Sequence, residues 1–144
     1  MKTKMFAVVA ALLLSLVAAN ASHAQEGPLS VTIPFAFQVG NQTMPAGQYL
    51  VERPLTNSFS LQRLRQVNGD AVATISTVAM EAKSGDRVPE LIFNVYGRTY
   101  FLAQIWADSA HGHELIKSKR EKEMLRGVQG TEVALLLYPV SMPR

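Results

Sequence analysis

From Val31 to Val39 the chain alternates side chains along an extended backbone. Val31, Ile33, Phe35, Phe37 and Val39 fall on one side, and Ser30, Thr32, Ala36 and Gln38 on the other. A period of two belongs to a strand with one buried face, and a helical repeat cannot satisfy it. Runs of the same kind recur as far as Tyr138. Gln48–Arg53 has Tyr49 and Val51 on one face, and Phe59–Arg65 and Ala71–Met80 follow as strands. Leu91–Tyr96 and Tyr100–Trp106 are apolar at nearly every position, which places them at the centre of the domain with both faces covered. Glu132–Tyr138 closes the series, with Val133, Leu135 and Leu137 facing one way. About seven strands at short spacing describe an all-β fold, an antiparallel β-sandwich or small barrel. A parallel α/β sheet would need a helix between strands, and there is room for one helix only.

The connections carry their own chemistry. Pro34 cannot donate to a ladder, so it marks a sheet edge or a bulge in the first strand. Gly40-Asn41 and Met44-Pro45-Ala46-Gly47 are turns. Asn68-Gly69 predicts a type I′ hairpin, which needs positive φ at both central residues, and Gly97-Arg98 predicts a type II′ hairpin. Asp108–His113 reads as a loop, with a short strand starting at Leu115. Ser118 followed by Glu121 fits a capping box, in which each side chain satisfies the other's free amide. Lys117–Glu121 and Lys119–Glu123 are pairs four residues apart, and Gly127 stops the segment. Lys119–Arg126 is therefore expected as a short, solvated surface helix, or as a docking element for an envelope partner.

The first 24 residues have another purpose. Lys2 and Lys4 form a positive head, an apolar run follows from Met5 to Ala19, and Ser22-His23-Ala24 supplies small residues for a peptidase. That order is a secretory signal peptide. Cleavage is expected before Gln25, with a second site before Ser22. The run is short for a membrane span, which needs about 20 residues. Residues 25–144 then form one domain, large enough to hold a core without staples. The sequence contains no cysteine, which excludes a disulfide and a lipidated cysteine anchor. The 14 Lys and Arg less the leader's two leave 12 against 11 acidic residues, a net charge of +1. That balance argues against nucleic acid, which favours a basic face, and gives no support for a membrane partner after cleavage.

The stretch VTIPFAFQVGNQTMPAGQYLVE resembles the opening of a family of small uncharacterised exported proteins common in acidobacteria. Pro34, Phe35, Phe37, Val39, Gly40, Pro45, Ala46, Gly47 and Tyr49 carry the likeness. LIFNVYGRTYFLAQIW (Leu91–Trp106) and the charged segment Lys117–Met124 also fit its layout. The resemblance spans most of the mature domain. It implies a bacterial envelope or periplasmic setting, and it carries no activity.

Asp108, His111 and His113 are the nearest approach to a site. Two histidines two residues apart on a strand point the same way and can share one zinc ion, with a nearby carboxylate, Asp108 or Glu114, completing the shell. Against this stands a polar loop around Gly112, with no distant third ligand marked. No serine sits in a nucleophile elbow. Glu81, Asp86 and Glu90 flank a loop, where charges are expected in any case. Tyr49, Tyr96, Tyr100, Trp106 and Tyr138 suit either a sugar-stacking platform or the core, and their place in apolar strands favours the core. Asn41-Gln42-Thr43 matches a glycosylation acceptor and reads as a chance match at a turn. A transmembrane β-barrel would need a polar lumen, yet Leu91–Val95 and Leu135–Leu137 are apolar on both faces. The residues thus lead to a noncatalytic exported module that binds an envelope protein or glycan and holds no cofactor. The alternatives are a zinc-binding protein using His111 and His113, and a structural subunit that self-assembles through an edge at Pro34. Oligomeric state is left open.

Overall fold

A computed structural model of the chain describes residues 27–53 and 60–140. The leader, its cleavage points and Phe59 lie outside the described residues. The described residues form eleven strands and one helix: β1 (Leu29–Ile33), β2 (Phe37–Val39), β3 (Gln42–Met44), β4 (Gly47–Glu52), β5 (Leu61–Gln66), β6 (Val72–Glu81), β7 (Glu90–Tyr96), β8 (Thr99–Trp106), β9 (His111–Leu115), α1 (Lys119–Leu125), β10 (Thr131–Leu136) and β11 (Tyr138–Pro139). The fold is an all-β sandwich with one short helix, as the alternation predicts. The strands outnumber the expected seven because two long runs bend from one layer into the other, and because β3 and β9 form where turns or loops were expected.

One layer runs β11-β1-β4-β5 and ends in the first half of β6. The second half of β6 begins the other layer, which continues β9-β8-β7-β10. β6 pairs with β5 through Val72–Ser76 and with β9 through Thr77–Glu81, so this single strand turns a corner of the sandwich. The β2–β3 hairpin joins the second layer through one parallel bridge, Gln38 to Phe101. Between the layers lies a core whose fully buried members include Ile33, Phe37, Met44, Tyr49, Leu64, Leu91, Phe93 and Ile105.

Pro34 corrects the reading of the first run. β1 pairs with β4 along its whole length and with β11 only at Leu29 and Ser30. The proline stands between β1 and β2, where the chain leaves one layer for the other and no ladder bond is needed. Phe35, in the crossing, stacks on Tyr100 with ring centroids 3.8 Å apart and meets Phe93 edge-on.

The turns divide. At the β7–β8 connection Gly97 has φ +62° and Arg98 does not have positive φ, the pattern expected for a type II′ turn. Asn68-Gly69 does not form the type I′ turn. Neither residue has positive φ, and Val67–Asp70 make a four-residue loop closed by a Gln66 N–H to Ala71 C=O bond of 2.8 Å. Gly69 answers a steric demand instead: the Gln66 side chain lies where a Cβ would project, as it also does at Gly47.

Candidate functional site

The β8–β9 connection brings Asp108 to His111 but leaves His113 elsewhere. Asp108 Oδ1 accepts the backbone N–H groups of Ala110 at 2.7 Å and His111 at 2.6 Å, folding the short loop on itself. His111 Nδ1 stands 3.4 Å from the same oxygen. The chain then enters β9, not the expected loop, because Gly112 fits against Trp106. A Cβ on residue 112 would come within 2.6 Å of the indole ring. The indole is held by its Nε1–H donating to Gln104 Oε1 at 2.8 Å, and the Arg87 guanidinium covers it 4.2 Å from the ring centroid.

Along β9, His111, His113 and Leu115 share a face. Leu115 reaches the core, His113 lies half-buried at its margin, and His111 is exposed. The ring of His113 sits between two polar side chains: Nδ1 is 3.1 Å from Thr77 Oγ1 and Nε2 is 3.2 Å from the Gln62 amide nitrogen. Gln62 and Thr77 are themselves buried. Burial, aided by the positive charge of Arg53, lowers the His113 pKa from its ordinary value and favours the neutral ring. At Asp108 burial works the other way and raises the pKa, but the two amides and His111 outweigh it, so the carboxyl titrates below its usual value. Asp108, His111 and His113 thus do not converge on one point. Among the described residues no three of His, Cys, Asp or Glu gather closely enough to hold a metal ion.

A second constellation escaped the sequence reading. Ser118 caps α1 as expected, its Oγ accepting the Glu121 N–H at 3.1 Å. The Glu121 side chain does not return the bond. It turns into the protein, is 4% exposed, and its Oε1 accepts from Asn94 Nδ2 at 3.0 Å and from the Tyr96 hydroxyl at 3.1 Å. The helix is therefore pinned to β7 by a buried carboxylate, whereas a wholly solvated face was expected. Burial first, then the Glu121 charge, pushes the Tyr96 phenol up to about 12. The available sign was Asn94, a lone amide inside the apolar run LIFNVY. A small recess of about 110 Å³ beside the helix is lined by Asn94, Gln104, Glu114, Lys117, Glu121 and Glu132.

The aromatic residues are mostly spent on packing. Tyr49, Tyr96 and Trp106 are buried, Tyr100 stacks on Phe35, and Tyr138 alone of the five stands exposed. Of the three carboxylates flanking the β6–β7 loop, Glu90 is paired with Arg87 at 3.2 Å. A larger opening lies elsewhere: a groove of about 440 Å³ between the β2–β3 turn, the first half of β6 and the end of β9. No side chain lining it is charged.

No protein-family model matches the chain, and neither a curated protein nor a solved structure matches it. No helix among the described residues is long and apolar enough to cross a membrane.

Proposed function

We propose that the protein is an exported, noncatalytic binding module of a bacterial cell envelope. One structural observation carries this reading. The side chains with chemical potential are already engaged by the fold: His113 by Gln62 and Thr77, Asp108 by two backbone amides, Glu121 by Asn94 and Tyr96. The larger of the two openings described is a neutral groove whose lining holds no charged group to act as acid or base. The leader order of residues 1–24 supports export, and the resemblance of Val31–Glu52 to exported acidobacterial proteins supports an envelope setting.

The test has two parts. Expression of the full chain in a Gram-negative host should deliver the protein to the periplasm with a mature end at Gln25 or Ser22, read by mass spectrometry. The purified product should give no turnover in a broad hydrolase screen; turnover, or a cytoplasmic product with an intact leader, defeats the reading.

Zinc binding at the β8–β9 turn is the second reading, favoured by the 3.4 Å approach of His111 Nδ1 to Asp108. It requires His113 to leave Gln62 and Thr77. Metal analysis of the purified protein, with and without chelator, decides it: no bound zinc and an unchanged melting temperature end it.

A further inference from the structure

Resting on the binding-module reading, we infer that the groove takes an extended, uncharged polypeptide segment of a partner, which adds as a strand to β6 between Val72 and Ser76. Residues of a strand in an antiparallel ladder turn their N–H and C=O alternately to one side and the other. The Thr77 N–H donates to Ser60 C=O at 2.7 Å, and Ala71 C=O accepts from the Gln66 N–H at 2.8 Å. Ala71, Ala73, Ile75 and Thr77 therefore face β5. Val72, Thr74 and Ser76 face the other way, into the groove. The ladder with β9 begins only at Thr77, opposite Leu115, and beyond it the chain diverges at Ile116. Among the described residues no strand pairs with the main-chain groups that Thr74 and Ser76 turn outward.

The Val72 carbonyl shows what this edge accepts. It takes the side-chain amide of Gln42 at 3.0 Å, so a primary amide stands there in place of a neighbouring strand. The edge also lacks the usual protection. Proteins guard open strands with lysine, proline or a bulge, and Val72–Ser76 carries no proline, no charge and an unbroken register with β5. Ile116, 67% exposed, lines the groove next to the open groups and offers an apolar contact to a side chain of an added strand. The uncharged lining favours a neutral segment over an acidic or basic one. The edge borders the groove between the β2–β3 turn and Ile116, whose volume of about 440 Å³ suits one slender extended segment. Strand addition draws affinity from main-chain bonds and so tolerates varied sequence.

Amide hydrogen exchange, read by NMR on protein purified from cells expressing the full chain, tests this directly. In the free protein the Thr74 and Ser76 amides should exchange at least about tenfold faster than those of Ala73 and Ile75, which face β5. The probe is an uncharged end-blocked peptide, Ser-Thr-Val-Thr-Val-Thr-Val-Ser, at millimolar concentration. It should slow exchange at Thr74 and Ser76 only, and the same peptide N-methylated throughout should not. Thr74→Pro removes one outward N–H and no bond to β5; it should abolish the peptide effect with little change in melting temperature. Should that variant fail to fold, Ile116→Lys at the groove wall serves instead and should weaken the peptide at least about threefold. Equal protection of Thr74 and Ile75 in the free protein overturns the inference. So does equal action of the two peptides, no action by either, or a dimer by sedimentation that already protects Thr74. Hydrolase turnover would defeat the module reading alone; loss of the peptide effect without turnover defeats only this one.

Discussion

Glu121 shows how much one side chain can decide. A carboxylate at 4% exposure survives in the interior only because two donors meet it. Removing it strands both donors: Glu121→Leu should cost about 2–3 kcal/mol in urea unfolding, while Glu121→Gln, which keeps an acceptor oxygen, should cost no more than about 1. The phenol provides an independent readout. Tyr96 should titrate at about 12 by ultraviolet absorbance and move down in Glu121→Gln, where the negative charge is gone but burial, the larger cause, remains.

His113 makes the matching case for pH. Its folded pKa lies below the ordinary histidine value of 6.5 because burial and Arg53 disfavour the cation. The unfolded chain therefore binds the proton more readily. The stability tied to the neutral ring is present above pH 6.5 and is lost as pH falls through the folded-state value. Denaturant midpoints should drop as the pH is lowered from 7, and His113→Gln should flatten that slope at the cost of weaker bonds to Gln62 and Thr77. Sequence identified His113 as chemically interesting. It could not tell a ligand from a packed ring, because the partners Gln62 and Thr77 lie 51 and 36 residues away.

At the scale of single elements, what was legible depended on which demand a residue answers. Alternation answers burial of one face, and it placed Val31, Ile33, Tyr49, Val51 and Leu135 toward the core, where they lie or pack. Local hydrogen bonds also left a mark: Ser118 caps α1 as read, and Gly97 supplies the positive φ its turn requires. Gly69 and Gly112 misled because each makes room for a side chain distant or unseen in the local pattern, Gln66 and Trp106 respectively. A glycine that yields space looks the same in sequence as one that breaks a strand. Asp108–His113 therefore reads as a loop in the sequence, although His111–Leu115 is a strand lying between β6 and β8. Gly112→Ala tests the distinction. If Gly112 were a surface-loop residue, the added methyl would change stability little. Pressed within 2.6 Å of an indole held by Gln104 and Arg87, it should cost about 1–3 kcal/mol and disturb Trp106 fluorescence. His111→Ala, one residue earlier and exposed, should stay within about 0.5 kcal/mol of the parent.

Across the whole molecule the governing fact is the arrangement of the two ends. The hydrogen-bonded path begins at β10 and finishes at β11, and these strands are separated in the chain by Leu137 alone. The last segment therefore runs along one layer beside β7, crosses at Leu137, and pairs with β1 in the other layer, tying the first described strand to the last. A period of two reports which face is buried and is silent on which strand lies alongside. The pairing of Ser30 with Tyr138 thus had no trace in the sequence, nor did the corner within β6. Leu136 and Leu137 resolve the consequence. Both were read as part of one apolar strand, yet Leu136 is 49% exposed and Leu137 is 4% exposed, its N–H donating to Pro89 C=O at 2.9 Å. If the crossing holds the layers together, Leu137→Ala opens a cavity at the seam and should cost about 2–4 kcal/mol, whereas Leu136→Ala should cost under about 1. Equal costs in parallel urea titrations would show that the terminal segment lies on the surface and that the sandwich is closed by other strands. Since Ser30 and Tyr138 are 108 residues apart, pairing β1 with β11 closes a long loop at high entropic cost, and the seam should form late. Leu137→Ala should then act mainly on the unfolding limb of the chevron and leave the folding limb almost unchanged.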